Sequence, residues 1–260
     1  MKTRAFFSAF LFVAACGGDP AAEAPVDVVS SRSLTGVDAP VGVTVDPSTG
    51  EVFVLDRSAG LLRLGAAGQE VVMSAAALGN QAFTDVVALG QGRFAMTVPN
   101  DGLLLDLNQQ SLETFFCYLP GDIIEEFPNG AVEQLTDSLA YDPVREEMVA
   151  QPRTFVTEAG ERRVERAEVG FFDAVQGGEG YNWISVDREL LAGGIAFAGS
   201  DAILLATDGR ILRLDRSSGD MTTFADLSPL GIGVVDGLSP QADGTHLVLS
   251  GSTLYTLRTN

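Results

Sequence analysis

The stretch Gly193–Leu227, GGIAFAGSDAILLATDGRILRLDRSSGDMTTFADL, sets the terms for the whole chain. It divides into four short strands, roughly Gly194–Phe197, Ala202–Ala206, Arg210–Asp215 and Met221–Phe224. Ser200-Asp201, Asp208-Gly209 and Ser217-Ser218-Gly219 separate them, and these residue types favour turns or tolerate positive φ. In the third strand Leu212 and Leu214 alternate with Arg213 and Asp215, the period-two pattern of a half-buried strand. Four antiparallel strands in about 35 residues make one blade of a β-propeller.

Four further segments repeat the pattern. Blade one is Val41–Met73, blade two Asp85–Cys117 and blade three Asp137–Val186; blade five begins at Asp236 and runs to the end of the chain. The third strands align: Leu61-Leu62-Arg63-Leu64, Leu104-Leu105-Asp106-Leu107, Ile211-Leu212-Arg213-Leu214 and Leu254-Tyr255-Thr256-Leu257. First strands recur at Val43, Val87, Leu139, Ile195 and Leu238. Blade five lacks its outer strand, and Val26–Ser33 (VDVVSSRS) is a spare strand at the other end of the chain. Its addition to the last blade would join the ring and remove two open edges. The expectation is an all-β chain with a single propeller of five four-stranded blades over residues 26–260. A β-sandwich is the alternative. In blade design, across about residues 26–258, the pattern resembles the NHL, YVTN and gluconolactonase-like propellers.

Composition bounds the partners. Among 260 residues there are 35 acidic and 16 basic ones, a net charge of −19. That argues against nucleic acid or an anionic membrane surface as the ligand and allows cations, basic proteins or a salty medium. A monomer is expected.

The N-terminus reads as an address. In Met1–Cys16, MKTRAFFSAFLFVAAC, Lys2 and Arg4 precede an apolar run, Ala5–Val13, far too short to span a bilayer. Val13-Ala14-Ala15-Cys16 resembles the lipobox of bacterial lipoproteins. The resemblance implies a signal peptide over 1–15, lipidation of Cys16 and a flexible tether over 16–25. It also implies anchoring in the cell envelope, and Gly17 in place of Asp leans toward the outer membrane, on its periplasmic or surface side. Cys117 is the other cysteine; between Phe116 and Tyr118 it reads as a small buried hydrophobe.

Propeller geometry gives each loop a side. The face that carries the turns between second and third strands, and the links between blades, receives two long departures, Tyr118–Leu135 and Pro152–Arg163. Extra length over a rigid scaffold is where binding residues tend to sit. Candidate partner contacts are Ile123, Ile124 and Phe127 in the first insertion and Arg162 and Arg163 in the second. Tyr181 and Trp183 on an outer strand join them, unless they pack there. The charged run from Arg153 to Glu168 reads either as a solvated hairpin or as a docking arm.

The same face receives the residue that opens each first strand. Three of these are acidic, Asp85, Asp137 and Asp236; the other two slots are small, at Val41-Gly42 and Gly193-Gly194. Converging carboxylates suit a hard cation such as Ca²⁺. Alternatively each carboxylate bonds backbone amides of its own turn or of the next blade. Calcium-dependent lactonases on propellers make a metal-dependent hydrolase the second functional reading. The rest of the usual catalytic equipment is missing. His246 is the single histidine, no Gly-x-Ser-x-Gly elbow or Walker loop occurs, and no Cys/His set could hold zinc. The first reading is therefore a lipid-anchored, non-catalytic envelope propeller that binds a protein or small ligand.

Overall fold

The computed structural model describes residues 25–66, 68–117, 125–127, 130–173, 181–190 and 192–259. The expected signal segment, Cys16, most of the expected tether, Ile123 and Ile124 lie outside them.

Five four-stranded antiparallel sheets form the ring. Blade one is β2 (Pro40–Val45), β3 (Val52–Asp56), β4 (Gly60–Gly65) and β5 (Gly68–Ser74). Blade two is β6 (Asp85–Gly90), β7 (Arg93–Val98), β8 (Asp101–Asp106) and β9 (Ser111–Cys117). Blade three is β10 (Ala131–Asp142), β11 (Glu147–Glu158), β12 (Glu161–Asp173) and β13 (Tyr181–Ser185). Blade four is β14 (Gly194–Phe197), β15 (Ala202–Thr207), β16 (Arg210–Asp215) and β17 (Met221–Asp226). Blade five is β18 (Gly237–Pro240), β19 (His246–Ser250) and β20 (Thr253–Thr259), completed by β1 (Val26–Ser33), which lies antiparallel to β20 from Val26↔Thr259 to Ser33↔Thr253. The chain is a β-propeller closed by its own N-terminal strand.

There are five cores, one at each junction between blades, and strand alternation feeds them. In β3, Phe53 and Leu55 point into the junction of blades one and two while Val54 points into that of blades five and one. In β14, Ile195 enters the three–four junction and Ala196 the four–five junction. Inner strands bury both faces, so β15 is buried from Ala202 to Ala206, and they read as continuous apolar runs. Outer strands bury one face at most: β1 alternates little and is largely exposed.

Carboxylates build the turns. Asp46, Asp56, Asp106, Asp142 and Asp215 each present Oδ1 to the backbone N–H groups two and three residues on. Asp215 also accepts from the Ser217 hydroxyl at 2.7 Å, and that bond, with the turn amides, pulls it down to about 2. A substantial share of the chain's acidity is thus turn chemistry.

Blade three departs from the expected plan. Pro152–Arg163 is not a loop inserted in the blade. It is the continuation of β11 into β12 around a tight turn at Ala159-Gly160, both with positive φ. The end of the other insertion, Ala131–Leu135, is the start of β10 and pairs with Thr157–Arg153. Apolar residues stand on both faces of this sheet, Val132 opposite Val156 on one and Phe155 on the other, and Val156 is fully buried. Residues 131–135 and 152–163 are therefore parts of one three-stranded arm that prolongs blade three beyond the ring.

Innermost strands come close enough that the side chain itself is the obstacle. A Cβ on Gly194 would lie 2.3 Å from the Leu238 backbone nitrogen of the next blade, and one on Gly237 would lie 2.6 Å from that of Val43. Gly194→Ala should therefore cost about 3 kcal/mol or more, the upper end for overpacking, and lower the melting temperature by many degrees. Gly233→Ala, with nothing within 4 Å of the added Cβ, should stay within about 0.5 kcal/mol of the native chain. Thermal unfolding of the two variants side by side checks this, and equal effects would refute the close approach.

Candidate binding face

The central channel opens on two sides. On the face from which the arm rises, its mouth is a cavity of about 280 Å³. Arg57, Thr84, Asp137, Asp208, Val234 and Asp236 contribute to its wall. Val41, Asp137, Gly193 and Asp236, from four of the five opening slots, line it, and Asp85 is buried behind the wall.

The three acidic openers are each engaged. Asp85 is 3% exposed. Its Oδ1 accepts from Val86 N–H at 2.7 Å and its Oδ2 from Leu139 N–H at 2.6 Å, so it stitches blade two to blade three. Burial pushes its carboxyl well above the usual carboxylate range, against those two hydrogen bonds. Asp137 takes the Arg153 guanidinium in two-point contact, Nε on Oδ2 and Nη2 on Oδ1, the latter at 2.9 Å. Burial nevertheless raises its carboxyl, with Arg153 opposing. Asp236 Oδ2 accepts from Gly251 N–H at 2.6 Å within its own blade. It too is raised by burial, against that bond and the charge of Arg57.

This donor set does not fit Ca²⁺. Both oxygens of Asp85 already point at backbone amides, and Asp137 is capped by a guanidinium whose charge would repel a cation. Among the described residues no three His, Cys, Asp or Glu side chains are grouped to hold a metal ion. Sequence reasoning missed Arg153 as the partner of Asp137. The register shift in β10 between Thr136 and Leu139 brings the two together, and no sequence signal marks it.

The arm is a built element. Its root is tied to blade two, where Asn100 N–H donates to Gln134 O at 2.9 Å and Gln134 N–H donates to Asn100 Oδ1 at 2.8 Å. The Thr84 hydroxyl reaches Thr136 O at 2.5 Å. On the arm, the Phe155 ring lies between two guanidinium groups: Arg162 at 3.7 Å from its centroid and Arg153 at 5.1 Å. Arg163 sits 5.2 Å from the Phe127 ring. The same arginines pair with Glu133, Glu158 and Glu165. Exposed pairs of this kind contribute little stability each, but together with the ring stacking they hold the arginines in place.

Of the candidate contacts, the structure brings together Phe127 and Arg163, while Arg162 stacks on Phe155 instead. Trp183 belongs to the body of the blade. It stands edge-on to Phe172 at 5.6 Å, and its ring fills the space that a side chain at residue 170 would need. Tyr181 opens the same outer strand, opposite Phe171. His246 is remote: it pairs with Pro240 at the other end of blade five, and its ring lies 6.3 Å from that of Phe224.

No protein-family description matches the chain, and no curated protein sequence resembles it significantly. Solved structures do. The glutaminyl cyclase of Myxococcus xanthus superposes with a TM-score of 0.56 at 14% identity, covering 90% of this chain and 96% of the enzyme. A luciferin-regenerating enzyme superposes at 0.54 with 11% identity, covering 85% and 73%. A chain of the mitotic checkpoint complex superposes at 0.50 with 12% identity, covering 100% and 99%. At such identity the likeness is one of fold, and the propeller fold carries unrelated functions.

Asp85 gives a test with a definite sign. Asp85→Ala leaves two buried N–H groups unpaired, at about 1–3 kcal/mol each. Because the folded carboxyl is raised above the ordinary 3.8, its stabilising contribution is fully present below that pH and declines as pH rises toward the folded-state value. The native chain's advantage over Asp85→Ala, measured by denaturant unfolding from pH 3 to 8, should shrink as pH rises. An advantage that grows instead would mean the carboxylate is held ionised.

Proposed function

We propose that the chain is a lipid-anchored propeller of the cell envelope that binds a protein or small ligand, without catalysing a reaction, through the face that carries the arm. The observation that carries this reading is the arm itself. Parts of two separate insertions pair into one sheet, the sheet is fastened to blade two, and it presents ordered arginines and an aromatic ring beside a polar mouth. A rigid projection beside a concavity is the arrangement recognition surfaces use, with Arg and aromatic residues as anchors. The polar groups of the mouth support binding over chemistry, since Asp85 and Asp137 are committed to holding the ring and its arm, and the single imidazole lies at the opposite end of blade five. The Cys16 sequence context supports the anchor, and a lipid-bearing Cys16 would tether the ring through the 16–25 segment to the membrane surface.

Two measurements test the parts separately. Cys16→Ser should move the protein from the membrane fraction to the soluble one, and retention in the membrane would refute lipid anchoring. A photo-crosslinking residue at Glu161, in the arm's turn, should capture a discrete envelope component in cells. The same residue at Val144, 90% exposed on the other face, should not. Capture from position 144 alone would place binding on the wrong face.

A further inference from the structure

On the face away from the arm the channel has a second opening of different chemistry. Its cavity measures about 370 Å³, within the range of small-molecule sites and about the volume of a dozen waters. All five first strands contribute to it, with Val43, Val87, Leu139, Ile195 and Leu238 at its inner end. Val45 and Phe197, both half-buried, stand near its rim.

The two openings do not share lining residues, and the layer between them is visible in the backbone. The polar mouth is walled by Val41, Asp137, Gly193 and Asp236, and the apolar cavity begins at Val43, Leu139, Ile195 and Leu238. Between these levels sit Gly42, Gly194 and Gly237, where neighbouring first strands come into backbone contact. The apolar cavity is therefore a funnel distinct from the polar mouth, with this level of close strand contacts between them.

Its wall offers a charged ligand little. Asp46 is the one carboxylate among the lining residues, is 2% exposed, and gives Oδ1 to the Ser48 and Thr49 amides. The Thr44 hydroxyl is taken by Ala88 N–H at 2.9 Å. At the rim, the Gln241 side-chain amide lies 2.8 Å from the Thr245 hydroxyl, which donates to Asp243 Oδ1 at 2.6 Å, and Tyr141 brings a phenol. An apolar hollow with one or two polar groups at its lip suits an uncharged, mostly hydrocarbon molecule that carries a single hydroxyl or carbonyl.

We propose that this funnel is a binding site for a small uncharged apolar molecule, separate from the arm-bearing face and open to the opposite side of the ring. It requires no partner on that face, and none of its lining residues belongs to the polar mouth or the arm.

The test uses residues 25–260, which contain every strand of the closed ring, and the neutral fluorophore N-phenyl-1-naphthylamine. The expected result is saturable binding of one probe per chain. Val45→Trp, which fills the funnel's opening, should weaken binding at least tenfold without lowering the melting temperature. Val234→Trp, at the polar mouth, should leave it unchanged. Should Val45→Trp impair folding, Phe197→Trp blocks the same opening. 1-Octanol should displace the probe at least tenfold better than octanoate. Absence of saturable binding, loss on Val234→Trp instead, indifference to both rim variants, or equal displacement by octanoate would each overturn the proposal.

Discussion

The pairing of β1 with β20 closes the ring, and the seam between its last blade and its first depends on it. Val26 meets Thr259, so nearly the whole chain lies in the loop that this pairing shuts. The length-dependent part of that closure entropy is on the order of 5 kcal/mol. Seven registered residue pairs offset it. More depends on the seam than its own hydrogen bonds. The five–one junction, with Val43, Val54, Leu247 and Leu249, exists only once blade five lies against blade one. An open ring would leave that surface wet and two sheet edges bare.

Closure at five blades has a consequence at the axis. The innermost strands converge until backbone meets side chain, and the five openers divide the space between them. Gly42 and Gly194 make room, and Asp85 uses its reach to bond the next blade, with Gly42 leaving space for its carboxylate. Small and acidic openers are thus two answers to one crowding problem. The same layer separates a polar mouth from an apolar funnel, so a single channel has two chemically distinct ends.

Blade three shows where side-chain pairing extends the plan. The arm would be a charged hairpin in water without the Phe155–Arg162 and Phe127–Arg163 stacks and the bonds from Gln134 to Asn100. Farther down the blade, Arg216 grips Glu147 through two contacts, at 2.8 and 3.0 Å, while lying over the Phe171 ring at 4.0 Å, and so fastens blade four to blade three. Each arginine combines a carboxylate with an aromatic face, the geometry that guanidinium, unlike ammonium, satisfies simultaneously.

Much of the fold was legible in the sequence because its determinants are local. Period-two alternation, turn residues such as Asp46 to Gly50 and Asp215 to Gly219, and a spare strand at Val26–Ser33 specify blade, count and closure without long-range information. The candidate site was only half legible. Insertion lengths marked the face from which the arm rises, but the pairing into one arm depends on register between β10 and β11, which alternation in a charged stretch does not specify. Acidic openers were visible, but their convergence on a cation was an inference from position. The bulge between Thr136 and Leu139 turned Asp137 to Arg153, and burial turned Asp85 to backbone amides. The sequence by itself determined the ring, because strand and turn are written in neighbouring residues. Only the tertiary structure decided what the acidic side chains hold, because their partners come from other strands and other blades.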